Sequence, residues 1–208
     1  MSQIYKLGGV KHCYYCFFLL LCFPHFLSYL FCRNRKTIEV DIKRWIDCTV
    51  KEHHGFWLDL SYLLTFIPEF RNVFYLRIGR FSILLRYLPP LSSLYICTES
   101  DNFGAGTFIQ HGFATVITAE KIGCNCWINQ QVTIGYNDSK KYGYGKPVIG
   151  NNVRISAGAK VCGKVTVGDN STIGVNAVVV KDVPSNSVVI PSPTMMIVDN
   201  NEKTYKRL

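Results

Sequence analysis

From Phe103 onward, large apolar residues return every six positions, at Phe103, Ile109, Val116, Ile122, Ile128, Ile134, Ile149, Ile155, Val161, Val167, Ile173 and Val179. The step from Ile109 to Val116 slips to seven, and a longer insertion separates Ile134 from Ile149. Four residues after these anchors stand mostly small or β-branched side chains: Thr107, Cys126, Val132, Val153, Ala159, Val165, Ser171, Ala177 and Val183. Three residues after nine of the twelve anchors stand Gly106, Gly112, Asn125, Asn137, Asn152, Gly158, Asn170, Asn176 and Asp182. Glycine, asparagine and aspartate adopt positive φ at least cost, so the pattern predicts a tight turn in every repeat. Two inward side chains per six residues, with a turn between them, build short parallel strands stacked three to a coil around a triangular core. An amphipathic helix has no use for this pattern, and a sandwich of period-two strands would not place Gly and Asn in that register.

Residues 37–90 carry a different periodicity. In PEFRNVFYLRIGRFSILLRYL the apolar residues Phe70, Val73, Phe74, Ile78, Phe81, Leu84, Leu85 and Leu88 recur at helical spacing, with Arg71, Arg77, Arg80 and Arg86 mostly off that stripe. Pro89 and Pro90 end it. An earlier helix is predicted through IEVDIKRWIDCTVKEH, ending near Gly55. The helical region reads as a packing cap for the repeats, in preference to a binding stripe of arginines. The predicted fold class is therefore mainly β: a left-handed parallel β-helix of hexapeptide repeats, preceded by a small α-helical region. Left-handed coiling runs against the usual right-handed crossover, so the repeat itself is the warrant.

Before both lies the run CYYCFFLLLCFPHFLSYLFC, Cys13 to Cys32, which at 20 residues has the length of a membrane-spanning helix and is interrupted by Pro24 and His25. Three readings compete: a membrane anchor, a secretory signal, and residues translated upstream of the true start. The signal reading is the weakest, because the run lacks a small-residue cleavage site at its end. Arg33, Arg35 and Lys36 would place the downstream regions on the cytoplasmic side, with membrane association through residues 13–32. The expected organisation is an apolar segment 1–36 (anchor or spurious extension), an α-helical region 37–92, the β-helix 93–197 and a basic tail 198–208.

Composition narrows the function classes. The chain has 208 residues, 48% of them hydrophobic, and a formal charge of +9. Residues 1–36 hold five of the bases and no acid, leaving eighteen bases against fourteen acids in the remainder. That balance suits a phosphate-rich ligand and is too small to imply nucleic acid. Nine cysteines lack paired C-x-x-C sets or disulfide spacing and read as reduced apolar residues of a cytoplasmic protein, with no metal implied.

The segments GAGTFIQHGFATVI, INQQVTIG, GKPVIGNNVRISAGAKVCG and VGDNSTIGVNAVVVKDVP, spanning about Phe103 to Ile197, resemble the serine acetyltransferases and related coenzyme A-dependent O-acetyltransferases with hexapeptide repeats. The segment FYLRIG is similar, more weakly, to the end of that family's helical domain. The resemblance implies a homotrimer whose active sites lie between adjacent β-helices, with acetyl-coenzyme A as cosubstrate, a small-molecule acceptor and no metal. His111, the only histidine of the repeat region, falls where the family's catalytic histidine stands. Two residues past inward Ile109, it is placed at a corner facing out, where a neutral imidazole can take a hydroxyl proton. Ser156, Ala157, Gly158, Ala159 and Lys160 match the coil that the family lays against the pantetheine arm, with backbone amides to hold it and help stabilise the oxyanion. The insertion YNDSKKYGYGKP, Tyr136 to Pro147, matches an arm that the family extends over a neighbouring subunit's site.

Departures from the family concern the acceptor. Gln110 stands before the histidine where the family has Asp, Ile96 occupies the place of the Asp that pairs with it, and Gly145 and Lys146 replace an Arg-His pair. Met195 stands where a lysine often touches the coenzyme. Without these groups a zwitterionic amino acid loses most of its clamp, and His111 depends on a backbone carbonyl or Glu99 for orientation. Gln110, Tyr142, Tyr144 and Lys146 are the expected acceptor-binding residues, and a sugar or polysaccharide precursor the expected acceptor. The alternatives are serine O-acetyltransferase of cysteine biosynthesis and a noncatalytic trimeric β-helix module. The single histidine of the repeats leaves no room for a carbonic anhydrase zinc site.

Overall fold

Parallel pairing between residues one coil apart organises the second half of the chain. The structure is a computed structural model that describes residues 10–137, 144–191, 194–199 and 202–207. One sheet stacks β1 (Leu94–Ile96), β3 (Thr115–Ile117), β6 (Thr133–Gly135), β9 (Lys160–Cys162) and β12 (Val178–Val179). A second stacks β4 (Lys121–Ile122), β7 (Val148–Ile149) and β10 (Thr166–Val167), and a third β2 (Phe108–Ile109), β5 (Trp127–Ile128), β8 (Arg154–Ile155), β11 (Thr172–Ile173) and β13 (Val188–Val189). The chain visits the three sheets in turn, each strand pairing in parallel with its counterpart a coil away, which is the left-handed parallel β-helix expected. Registers such as Ile109↔Ile128↔Ile155↔Ile173 line one apolar ladder along the axis, and all four are buried.

Corners follow the side chains. Gly106, Asn125, Asn152 and Asn170 turn one corner at positive φ, and Gly158 and Asn176 another. Asn152 Nδ2 donates to Asn170 Oδ1 at 3.0 Å and Asn170 Nδ2 to Asn186 Oδ1 at 3.1 Å, so one residue type serves both the turn and a ladder between coils. Gly112, Asn137 and Asp182 do not adopt positive φ, whereas Gln131, Ala114 and His111 do. The anchor assigned to Val116 is corrected by one residue. Val116 is half-buried, Thr115 and Ile117 are buried, and Ile117 pairs with Ile134. The step from Ile109 is thus eight residues, and the next, from Ile117 to Ile122, is five.

Among the described residues there are four α-helices, α1 (Val10–Leu30), α2 (Arg35–Thr49), α3 (Phe56–Phe66) and α4 (Pro68–Ile78); α2 and α4 pack on the first coil, and α3 and α1 pack behind them. The long helix expected up to Pro89 stops at Gly79, whose φ of 63° breaks it, and continues as a 3-10 segment, Gly79–Leu85, with Phe81 and Leu84 exposed. The earlier helix ends at Thr49, and Gly55 instead begins α3. Arg77, off the apolar stripe, is buried: Nε donates to Asp41 Oδ2 at 3.0 Å, and the terminal nitrogens donate to the carbonyls of Ser100, Phe103 and Gly104. Asp41 Oδ1 accepts the Gly106 N–H at 2.7 Å. Arg71 likewise caps the carbonyls of Leu64, Thr65 and Pro89.

The membrane-anchor expectation for residues 13–32 is not supported: among the described residues no helix is long and apolar enough to cross a membrane. Instead Cys22, His25, Phe26 and Tyr29 of α1 are buried in the helical layer, with Phe26 on Trp57 and Tyr29 on Phe56 at ring separations of 5.0 and 4.9 Å. Residues 194–199 and 202–207, read from sequence largely as a tail, pair antiparallel as β14 (Thr194–Asp199) and β15 (Glu202–Arg207).

The helical layer can be tested in two ways. Arg77→Met leaves Asp41 buried and uncompensated, so we expect a loss of about 3–5 kcal/mol in urea unfolding. His25 sits between the hydroxyls of Tyr75 and Tyr87 at 3.1 and 3.2 Å, and burial, with the nearby Arg71 charge, pushes its pKa down from 6.5 to about 4. The neutral ring is the folded form, so its stabilising contribution is complete above pH 6.5 and is lost as pH falls toward 4. Unfolding free energy measured across that range should drop by about 3 kcal/mol, and His25→Gln should flatten the slope.

Candidate active site

His111 owes its position to the irregular corner between β2 and β3. The two extra residues there are absorbed by left-handed turns at His111, φ 54°, and Ala114, φ 51°, and the Phe113 N–H donates back to the His111 carbonyl at 2.7 Å. The loop thereby projects the imidazole out of the stack, and His111 is exposed. Beside it opens a cleft of about 740 Å³ between the helical cap and the first coil, reaching Trp45, Glu52, Tyr62, Glu69 and Gln110. Its walls are aromatic, and its charged side chains are both carboxylates. Among the described residues, neither Glu99 nor a backbone carbonyl hydrogen-bonds the His111 ring, so the orienting partner expected from sequence is not in place in a single chain.

Gln110 lines the cleft, and its amide is held: Oε1 accepts from Trp127 Nε1 at 3.2 Å and from Asn129 Nδ2 at 3.1 Å. That leaves its NH2 group to donate toward the cleft. Tyr144 and Lys146 are exposed and do not line the cleft of their own chain. Tyr144 stacks edge-on against Tyr136 with ring centres 4.9 Å apart, at the base of an insertion pinned by Asn137 and Gly145. Tyr142 lies outside the described residues.

Ser156 to Lys160 turn the equivalent corner two coils further on. A Cβ on Gly158, at φ 72°, would meet Asn176 Oδ1 of the next coil. The N–H groups of Ser156, Gly158, Ala159 and Lys160 are all spent within the β-helix, on the carbonyls of Ile173, Gln130, Ser156 and Ala177. This corrects the expectation of a strip of available amides. Among the described residues the Ala157 N–H alone of the five makes no hydrogen bond. The Lys160 ammonium donates to the Gln131 carbonyl.

Sequence reasoning missed the two carboxylates. Glu69 follows Pro68 at the start of α4, where the helix dipole favours an anion, and its Cγ lies 3.2 Å from where a Gly112 Cβ would stand. Glu52 lies in the loop after α2, which the sequence pattern assigned to a continuing helix. Among the described residues no group of three or more His, Cys, Asp or Glu could hold a metal ion.

A family profile described as bacterial transferase hexapeptide (six repeats) matches residues 146–181. The serine acetyltransferase of Helicobacter pylori (strain 26695) is 38% identical over 122 residues, covering 57% of this chain and 71% of that protein. The serine acetyltransferase of Synechococcus elongatus is 39% identical over 122 residues, covering 57% of this chain and 50% of that one. Among solved structures, the Neisseria gonorrhoeae serine acetyltransferase in complex with serine superposes with a TM-score of 0.58 at 25% identity, covering 76% of this chain and 67% of that chain. The chain spans about half to two thirds of the length of the first curated relatives it matches.

Gly158→Ala tests the corner geometry. The left-handed backbone and the Asn176 contact together should cost about 1–2 kcal/mol, read as a lower urea midpoint with the β-rich circular dichroism spectrum retained.

Proposed function

Because this chain belongs to the serine acetyltransferase family of hexapeptide-repeat transferases, we propose that it moves acetyl from acetyl-coenzyme A to an acceptor hydroxyl with His111 as general base. The observation that carries this reading is His111 itself, the only histidine of the repeats, set at the mouth of the cleft by a corner that departs from the repeat. The neutral imidazole takes the hydroxyl proton as the oxygen attacks the thioester carbonyl. The tetrahedral intermediate then collapses, its C–S bond breaks, and the imidazolium returns the proton to the departing thiolate. No covalent enzyme intermediate is needed. The Ala157 N–H is the strip's remaining donor for the thioester oxygen.

L-serine is the acceptor that the relatives' names support, and it replaces the sugar acceptor favoured by the sequence departures as the leading assignment. The sugar hydroxyl stays as a second reading on one observation: a cleft of about 740 Å³ with aromatic walls exceeds what a three-carbon acceptor requires. The working unit in this proposal is a homotrimer, in which Tyr144 and Lys146 reach the site of a neighbouring subunit. Their own chain's cleft does not include Tyr144 or Lys146, in keeping with a shared site.

Thiol release from acetyl-coenzyme A, measured with L-serine and a panel of sugars, tests the assignment. We expect His111→Ala, and His111→Asn, which tolerates the left-handed backbone, to lower kcat by about 10²–10⁴ with little change in coenzyme binding. Silence of the wild type with every acceptor, together with no coenzyme binding, would favour the noncatalytic module.

A further inference from the structure

The outer column of the third sheet runs Phe108, Trp127, Arg154 and Thr172 in register, so Arg154 of β8 stands directly beside Trp127 of β5. The Arg154 guanidinium carbon lies 5.0 Å from the centre of the indole. A second guanidinium, that of Arg44 on α2, approaches the same ring at 6.0 Å. Two cations on one indole repel each other, an effect that water weakens at exposed Arg154 and less so at half-buried Arg44. Among the described residues neither has an ion-pair or hydrogen-bond partner, and Arg44 Nε is buried with no acceptor in reach. The carboxylate one turn along α2, Asp47, is engaged by His53 Nε2 at 2.9 Å.

We infer that Arg44 and Arg154, held on Trp127, form a binding site for an acidic group of the acceptor, a carboxylate or a phosphate. Contact with the indole holds both guanidinium groups near one ring, and a guanidinium can grip an oxyanion through paired N–H donors. The site is tied to the reacting centre: Trp127 Nε1 donates to Gln110, the residue before His111. Neither arginine lines the cleft beside His111, so the link from the anion site to the acceptor runs through the Trp127–Gln110 hydrogen bond. The identity of the ligand as an acceptor rests on the acetyl-transfer reading. The anion site itself does not.

Two measurements on the full chain separate them. Calorimetric titration with inorganic phosphate should give saturable binding by the wild type, weakened about tenfold or more in Arg44→Gln and in Arg154→Gln, whose urea midpoints report folding. Absence of saturable binding, or equal binding by the variants, overturns the site whatever the activity. In transfer assays, L-serine is paired with serinamide and glucose 1-phosphate with glucose. The variants should raise KM for the charged member about tenfold and leave the uncharged member unchanged. An effect confined to L-serine assigns a carboxylate and one confined to the sugar phosphate assigns a phosphate, whereas equal loss for both members of a pair overturns the proposal.

Discussion

Arg77 closes the open end of the solenoid. A β-helix satisfies its backbone by placing one coil on the next, so the first coil has no neighbour above it and presents carbonyls as unpaired as those of any sheet edge. Arg77 supplies donors to three of them, Ser100, Phe103 and Gly104, while Asp41 accepts the Gly106 N–H. Trp45 adds its Nε1–H to the Thr107 carbonyl. Side chains thus replace the missing coil, and only a helical layer held at one distance can deliver them all. The cleft beside His111 is the space left where that layer lifts away from β2.

This division of labour explains why His111 sits where it does. Along the regular coils corner residues are bound to the coil above or below, and even the strip from Ser156 to Lys160 spends three of its five amides that way and a fourth, that of Ala159, within its own turn. Chemistry needs groups with unused hydrogen-bonding capacity, which the repeat by its nature consumes. Such groups survive at the capped end, on the irregular corner and on the helical face opposite it.

The sequence was legible in proportion to its regularity. Ile128, Ile155 and Ile173 declared their burial because each is dictated by the same constraint, and Asn125, Asn152 and Asn170 declared their corners for the same reason. Val116 misled, because extra residues in one corner shift the register by an amount the six-residue count cannot reveal. In the helical region, Gly79 and Gly55 act through backbone conformation, which an apolar stripe does not encode. Arg77 and Arg71 looked solvent-facing because their burial depends on distant carbonyls. Glu52 and Glu69 enter the site only through the packing of α2 and α4 against a coil far away in sequence, and the isolation of the Ala157 amide emerges only once its neighbours' partners are known.

The corner at His111 can be regarded as a point defect in a one-dimensional crystal. Material inserted inside a strand would dislocate every layer below it, but here the surplus bulges sideways, and the following edge is shortened so that the lattice closes again at Ile122. A defect of this kind has no periodic neighbours to preserve. Its residues can be exchanged, and its reach lengthened or shortened, with the layers beneath left in register, so one unchanging scaffold can present many different corners at its capped end.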